Sequence, residues 1–242
     1  MTVVEHLEEL RNRIVISLVA LVVGTAAGWA AYPWVFDFIK DFYTNACLTL
    51  PEANQPPKGC DDLFIQSVIE PFLIRVKVSM FTGLVVALPI VLFQLWRFIT
   101  PGLTDRERRL AIPFVLASLV LFGLGALFAF LTLPRALGFL LGFGGDTLVP
   151  IITAGRYISF VMLVTLAFGI SFEFPIVLIF LAWARVVTSR TLRDWRRYAW
   201  LFIAVFAALI TPSQDPFTML ALMVPMLLFY EVAVLVARLM KR

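Results

Sequence analysis

The carboxyl group of Glu173 lies in a long apolar stretch, where burying an acidic side chain costs free energy. Glu173 is the only charged side chain in the 28 residues 157–184. At about 1.5 Å per helical residue it lies roughly 24 Å from one end of this stretch and about 16 Å from the other, inside a hydrocarbon core about 30 Å thick. Intramembrane carboxyl groups indicate functional sites by default. The alternative is a protonated Glu173 that is hydrogen-bonded to a neighbouring helix or to a carbonyl freed by Pro175.

Two other glutamates lie in polar segments that precede apolar stretches. Glu9 lies four residues before Arg13, a spacing that places carboxylate and guanidinium side by side on a helix. Glu107 lies three residues after Thr104, and this pair has the spacing of a capping box that begins a helix. Local structure alone can explain both glutamates, so a binding role for either needs a further argument.

Both cysteines lie between the first two apolar stretches. An oxidising compartment would permit a disulfide between Cys47 and Cys60, and two unpaired thiols are the alternative. His6 is the only histidine, which argues against a metal site built from Cys and His. We predict neither a metal nor a cofactor.

The composition is that of an integral membrane protein. Of the 242 residues 61% are hydrophobic and only 15% are charged, with a mean hydropathy of +0.94, whereas soluble domains carry about 25% charged residues. An all-α protein with six transmembrane helices in a single domain is therefore predicted. The predicted spans are 14–34, 78–96, 110–134, 157–184, 198–211 and 217–237.

Residues 1–13, which precede the first span, are predicted to form a short amphipathic helix. Val3, Leu7, Leu10 and Ile14 recur at spacings of four, three and four, which places one apolar stripe on a helix. Such a helix would lie at the membrane surface.

The distribution of basic residues predicts the orientation. If the six predicted spans cross the membrane in turn, fourteen of the twenty Lys and Arg residues lie on the same side of the membrane as the N-terminus. The other six are Lys40, Lys58, Arg75, Lys77, Arg135 and Arg156. Because cytoplasmic loops carry the excess of basic residues, both termini are predicted to be cytoplasmic. The net charge of +4 reflects this bias and gives no support to nucleic-acid binding.

The last two spans differ from the others. Residues 198–211 and the apolar run 217–230 each have 14 residues, about 21 Å as helices. They are predicted to form a tight hairpin of short fifth and sixth helices. In the alternative, Glu231 and Arg238 reach the membrane surface and the sixth helix continues to Ala237. Pro89, Pro113, Pro175 and Pro225 would bend their helices.

Several classes of membrane protein are disfavoured. A small proton-coupled secondary transporter that uses Glu173 is the alternative function, but the chain shows no internal repeat and Glu173 has no counterpart in the first half. The sequence contains no nucleophile elbow, no His-Glu-x-x-His motif and no phosphate-binding loop. An enzyme is therefore not expected.

Four groups of residues resemble the successive sequence motifs of the TatC family. Members of this family are the polytopic receptor subunits of the twin-arginine protein translocase. The four groups are residues 6–13 (HLEELRNR), 94–103 (QLWRFITPGL) with 107–109 (ERR), 167–175 (AFGISFEFP), and 211–212 (TP) with Asp215. They occur in family order and at family spacing. The segment with Cys47 and Cys60 carries no family motif.

The resemblance implies that the protein binds the paired arginines of the signal peptides of folded proteins at the cytoplasmic face. Glu9 and Glu107 match the family's two cytoplasmic glutamates, and a guanidinium makes strong, often bidentate bonds to carboxylate. Phe98 and Leu103 would contact the apolar residues after the arginine pair. The proton gradient would drive export, and the location would be the bacterial inner membrane.

The resemblance also implies a curved, glove-like wall of helices. Glu173 would line its concave face and contact a single-span partner of the TatA or TatB type, or the inserted signal peptide. Thr211 matches the region where partner helices dock, and self-association of the chain is a further implied contact. Asp215 matches a family carboxylate; the alternative is an Asp that begins a turn before a proline.

Overall fold

The computed structural model describes residues 3–48, 59–60, 63–99, 111–142, 152–213 and 215–240. Their regular structure is helical, apart from one isolated parallel bridge between Phe64 and Thr153. The predicted all-α fold is confirmed. The helices are α1 Val3–Leu48, α2 Glu70–Ile99, α3 Ala111–Gly142, α4 Ala154–Phe172, α5 Phe174–Trp183, α6 Ser189–Asp194, α7 Arg196–Ile210 and α8 Pro216–Leu239.

Five of these helical stretches are long and apolar enough to cross a membrane. They lie in α1, α2, α3, the near-continuous pair α4 and α5, and α8. The helix α7 has 15 residues, about 22 Å, and corresponds to the short fifth span. The helix α8 has 24 residues and continues past Glu231. The expectation of a short sixth helix is corrected here: the alternative, a sixth helix that continues to Ala237, agrees with the structure, because Glu231 ends the apolar run 217–230 but is a good helix former. Glu231 pairs with Arg196.

The helix α1 is much longer than the span predicted from its apolar residues. It has 46 residues, about 69 Å, and continues through Pro33. Residues 1–13 were predicted as a separate surface helix, but the described residues from Val3 onward form the first turns of α1 without a break. Of the residues in the predicted apolar stripe, Leu7 and Ile14 are largely exposed in the structure.

The chain divides into two compact units. The first contains Met1–Asp37 and Ile69–Val120, and the second contains Phe38–Val68 and Leu121–Arg242. In the first unit α1 and α2 cross closely: a Cβ atom at Gly24 would lie 2.5 Å from the Gly83 carbonyl oxygen. Small residues allow such close approach of two backbones in a membrane helix pair.

In the second unit α5 and α7 pack mainly against α8. The far end of α1 is fixed by Tyr157, whose hydroxyl donates a 2.7 Å hydrogen bond to the Ile39 carbonyl oxygen. Cys47 and Cys60 form a disulfide with Cα atoms 5.6 Å apart. The Ala154 amide donates a 2.7 Å bond to the Phe64 carbonyl. These contacts hold the segment after α1 against the start of α4.

Candidate functional site

A cluster of polar side chains lies in the first unit, near the beginning of α1 and the end of α2. Glu9 forms an ion pair with Arg13, one helical turn later, as the four-residue spacing allows. Arg13 also donates from Nη1 to the side-chain oxygen of Gln94 on α2, at 3.3 Å. The side chains of Arg13 and Glu9 are only 13% and 20% exposed. Arg13 therefore links the two helices.

The ion pair uses one of the two carboxylate oxygens of Glu9. Arg13 contacts Oε1. The second oxygen, Oε2, is buried and has no hydrogen-bond partner among the residues that the structure describes. A buried acceptor without a partner carries a desolvation penalty of about 1–3 kcal/mol. Oε2 is thus a buried acceptor to which none of the described residues donates.

An apolar groove of about 320 Å³ adjoins this cluster, between α1 and α2. Its polar end holds Arg13 and Gln94, and Phe98 also lines it. The Phe98 ring stacks on His6 with centroids 4.6 Å apart. The apolar lining consists of Leu10, Ile14, Leu18, Leu21, Leu84, Val91 and Leu95. The groove therefore places apolar surface beside Arg13, which is the partner of the Glu9 carboxylate.

Of the four residues predicted to bind a signal peptide, the structure describes two. Glu9 and Phe98 both lie at this end of the α1–α2 pair. Glu107, Leu103 and Thr104 lie outside the described residues, so the predicted capping box lies there too.

Glu173 lies between α4 and α5, where the helical hydrogen-bond pattern is interrupted. Its amide donates to the Ile170 carbonyl at 3.1 Å, a tighter turn than an α-helix makes. Pro175 follows and has no amide hydrogen to donate. The residue lies about 28 Å from the start of α4 and about 15 Å from the end of α5, inside a helical stretch that is long and apolar enough to cross a membrane. Its side chain is half-buried.

Thr211 and Asp215 lie at the turn from α7 to α8. The buried Thr211 hydroxyl donates to the Ala207 carbonyl of its own helix at 2.8 Å. Asp215 begins α8 as its N-cap: it accepts a 2.8 Å bond from the Thr218 amide and further bonds from the Ser213 and Thr218 hydroxyls. This is the helix-starting role that was the alternative for Asp215.

The pKa of Asp215 reflects that environment. Burial, the largest single influence, raises the pKa of this carboxyl. The hydrogen bonds from Ser213, Thr218 and the Phe217 amide together outweigh it, and the pKa is lowered from its ordinary value. Asp215 is therefore a carboxylate at neutral pH.

Three contacts were not anticipated from the sequence. Gln94 binds Arg13, and a lone amide in the apolar span 78–96 was the only available signal. Arg75 lies over the ring of Trp29 with its guanidinium carbon 4.4 Å from the centroid, a cation–π contact. Arg196 at the start of α7 binds Glu231 on α8 at 2.7 Å.

Five helical stretches of membrane-spanning length define a multi-pass α-helical membrane protein. The sequence model of the family described as Sec-independent protein translocase protein (TatC) matches residues 5–225. The chain belongs to the TatC family. It is a protein-translocase component and not an enzyme, in agreement with the prediction.

Relatives and solved structures agree with this assignment. The TatC protein of Frankia casuarinae is 46% identical over 241 residues, which are 98% of this chain and 65% of that protein. The TatC protein of Aquifex aeolicus is 39% identical over 245 residues, 100% of this chain and 97% of that protein. A crystal structure of the twin arginine translocase receptor TatC matches with a TM-score of 0.80 at 38% identity, over 98% of this chain and 100% of that chain.

Proposed function

We propose that this chain is the receptor subunit of a twin-arginine translocase and binds the signal peptides of folded proteins. The observation that carries the proposal is the Glu9 carboxylate, which has a buried acceptor oxygen beside an apolar groove. A signal peptide that presents an arginine followed by apolar residues complements both features. The guanidinium would bond to Oε2 of Glu9, and the apolar residues would enter the groove past Phe98.

The Glu9–Arg13 pair is part of this proposal and does not oppose it. Arg13 holds Oε1 and, through Gln94, ties the carboxylate to α2. An acceptor held in place by its neighbours loses less conformational entropy on binding than a free side chain would. In the proposal Glu9 therefore presents one oxygen in a fixed position to the incoming arginine.

The second arginine of the pair would bind Glu107, and Leu103 would add apolar contact. Both assignments come from the resemblance to the family motif, which in this chain includes residues 94–103 and 107–109 and so contains Phe98, Leu103 and Glu107. Two arginines in a signal require two acceptors, and Glu9 offers one oxygen beyond its bond to Arg13.

We also propose that both termini are cytoplasmic and that the protein lies in the bacterial cell membrane. The bias of fourteen basic residues among twenty supports this orientation. Glu9 and the polar end of the groove would then face the cytoplasm, where signal peptides arrive. The proton gradient would supply the energy for export.

Partner subunits of the TatA or TatB type, each with a single span, would dock through Glu173 and the α7–α8 turn. Glu173 supports this because it places a carboxyl at mid-membrane depth, beside a proline that interrupts the helix. The short α7 supports it because a helix of 15 residues is shorter than the hydrocarbon core of the bilayer. A partner helix that packs beside it can relieve this mismatch in length. Thr211 and Asp215 would lie at the edge of that docking surface.

Complementation tests the proposed function as a whole. A bacterial strain that lacks its own TatC protein would receive this chain and a folded fluorescent reporter with a twin-arginine signal. Export of that reporter, and retention of the same reporter with a twin-lysine signal, is the expected result. Equal export of the two reporters, or no export while the protein is present at normal level in the membrane, would contradict the proposal.

A further inference from the structure

A second cavity lies in the other compact unit, away from the α7–α8 turn. It has a volume of about 520 Å³ and lies between α5, α6, α7 and α8. Its lining is almost wholly apolar and aromatic, and includes Phe174, Leu178, Leu192, Trp195, Phe202 and Tyr230. Volumes of this size are typical of sites that hold small ligands.

The cavity is about as deep as one leaflet of a bilayer. Phe174 is the first residue of α5, which has ten residues and is about 15 Å long. Trp195 and Thr191 line the cavity from the connection beyond the other end of that helix. Half of a hydrocarbon core of about 30 Å is the same length. The cavity thus extends from near the membrane surface to near the bilayer centre.

Aromatic residues at its shallow end support this placement. Trp195 is 64% exposed and Tyr198 is 63% exposed, and both line the cavity. Exposed Trp and Tyr are enriched at the level of the lipid headgroups. The connection from α5 to α7 therefore lies where headgroups lie.

The shallow end is also strongly basic. Residues 185–197 contain five arginines and one acid, Asp194. The one acid that faces this segment from α8 is Glu231, which Arg196 pairs at 2.7 Å. Five positive and two negative charges leave a net +3. The exposed arginines 190, 193 and 197 are not bound to an acid among the described residues.

We propose that this cavity is a binding site for an anionic phospholipid. One acyl chain would fill the apolar cavity, and the lipid phosphate would lie among the exposed arginines of residues 190–197. A guanidinium binds phosphate through two parallel hydrogen bonds, and basic residues beside a membrane helix select anionic headgroups. The apolar cavity would accept an acyl chain of any phospholipid, so the arginines supply the selectivity for an anionic headgroup. This site is independent of signal-peptide recognition.

The test measures lipid affinity with the full chain purified in detergent. Phosphatidylglycerol and phosphatidylcholine with identical acyl chains are titrated, and retained lipid is counted by native mass spectrometry. Phosphatidylglycerol should bind more tightly than phosphatidylcholine. The double variant Arg190→Gln/Arg197→Gln should weaken phosphatidylglycerol binding about 25-fold, since each basic residue near an anionic surface contributes about fivefold. Phosphatidylcholine binding should not change.

Two controls separate the contributions of charge and cavity. Arg135→Gln/Arg156→Gln removes the same charge from two exposed arginines elsewhere in the unit and should leave both affinities unchanged. Ala199→Phe fills the cavity and should weaken both lipids. Equal affinity for the two lipids, or an equal loss in the control pair, would overturn the proposal. Glycerol phosphate that binds as tightly as the lipid would also overturn it. The proposal would likewise be overturned if the Ala199→Phe variant kept its lipid but lost a bound single-span protein. That result would show that the cavity binds a partner helix and not a lipid.

Discussion

Substitution of Glu9 by Gln removes the charge of the proposed acceptor but keeps its shape. In the folded protein Arg13 already holds Oε1, so an incoming arginine gains one charge-assisted bond at Oε2 and not a bidentate pair. Such bonds contribute about 1.5–3 kcal/mol, and a single contact belongs at the lower end of that range. About 1.5 kcal/mol corresponds to roughly a twelvefold increase in Kd.

The assay is fluorescence anisotropy of a labelled twin-arginine signal peptide that binds the purified protein in nanodiscs. A twin-lysine peptide gives the non-specific baseline. Glu8→Gln is the matched control: the residue is adjacent, exposed and carries the same charge. The expected result is a loss of about twelvefold in Glu9→Gln and less than twofold in Glu8→Gln.

Arg13→Gln tests the proposed positioning of Glu9. The change removes the partner of Oε1 and the link through Gln94 to α2, so the Glu9 side chain must be ordered when the peptide binds. Ordering one side chain costs about 1 kcal/mol, and affinity for the twin-arginine peptide should fall roughly fivefold. If Glu9→Gln binds as tightly as the unaltered protein, the assignment of Glu9 as acceptor is refuted. If Arg13→Gln binds the peptide more tightly than the unaltered protein, Arg13 competes with the peptide for Glu9 and does not position it.

Three further predictions concern packing, capping and docking. Gly24→Ala should lower the Tm, because its Cβ would lie 2.5 Å from the Gly83 carbonyl oxygen, whereas Gly123→Ala, with no atom within 4 Å, should not; equal Tm values would contradict the close crossing. Asp215→Ala should destabilise the fold by about 0.5–2 kcal/mol. Because the pKa of Asp215 is lowered, its contribution is complete above its ordinary value of 3.8 and is lost as the pH falls through the lower pKa of the folded state. The difference in Tm between the two proteins should therefore be constant above pH 3.8 and shrink as the pH falls further, and a difference that does not shrink would argue against an ionised cap. Glu173→Ala should preserve twin-arginine peptide affinity and reduce site-specific crosslinking to a single-span partner; undiminished crosslinking would favour a purely structural Glu173.

The helix α1 extends well beyond the apolar run from which its span was predicted. An apolar run measures the part of a helix that lies in hydrocarbon, but α1 continues beyond 14–34 at both ends because nothing in residues 1–13 or after Trp34 interrupts helical hydrogen bonding. The break at Glu173 followed from Pro175, a local cause. The length of α8 matches the alternative in which the sixth helix continues to Ala237, whereas the ion pair of Glu231 with Arg196, 35 residues away in the chain, has no signal in the sequence.

The same division applies to the candidate site. The Glu9–Arg13 pair follows from a four-residue spacing on one helix, so it was available as an alternative from the sequence. The contact of Arg13 with Gln94 joins residues 81 positions apart. No periodicity connects such residues, and only the packing of α1 against α2 brings them together. The apolar groove has the same origin, because half of its wall comes from each helix.

The close crossing of α1 and α2 also limits the length of an apolar segment that the groove can accept. Leu21 and Leu84 line the deep end of the groove, next to Gly24 and Gly83, where the two backbones touch. From Phe98 to Leu84 is 14 residues, about 21 Å along α2. Under the proposed function, an apolar segment that passes Phe98 and follows α2 would meet the crossing after this distance. The two glycines would therefore limit how far a signal peptide can extend between α1 and α2.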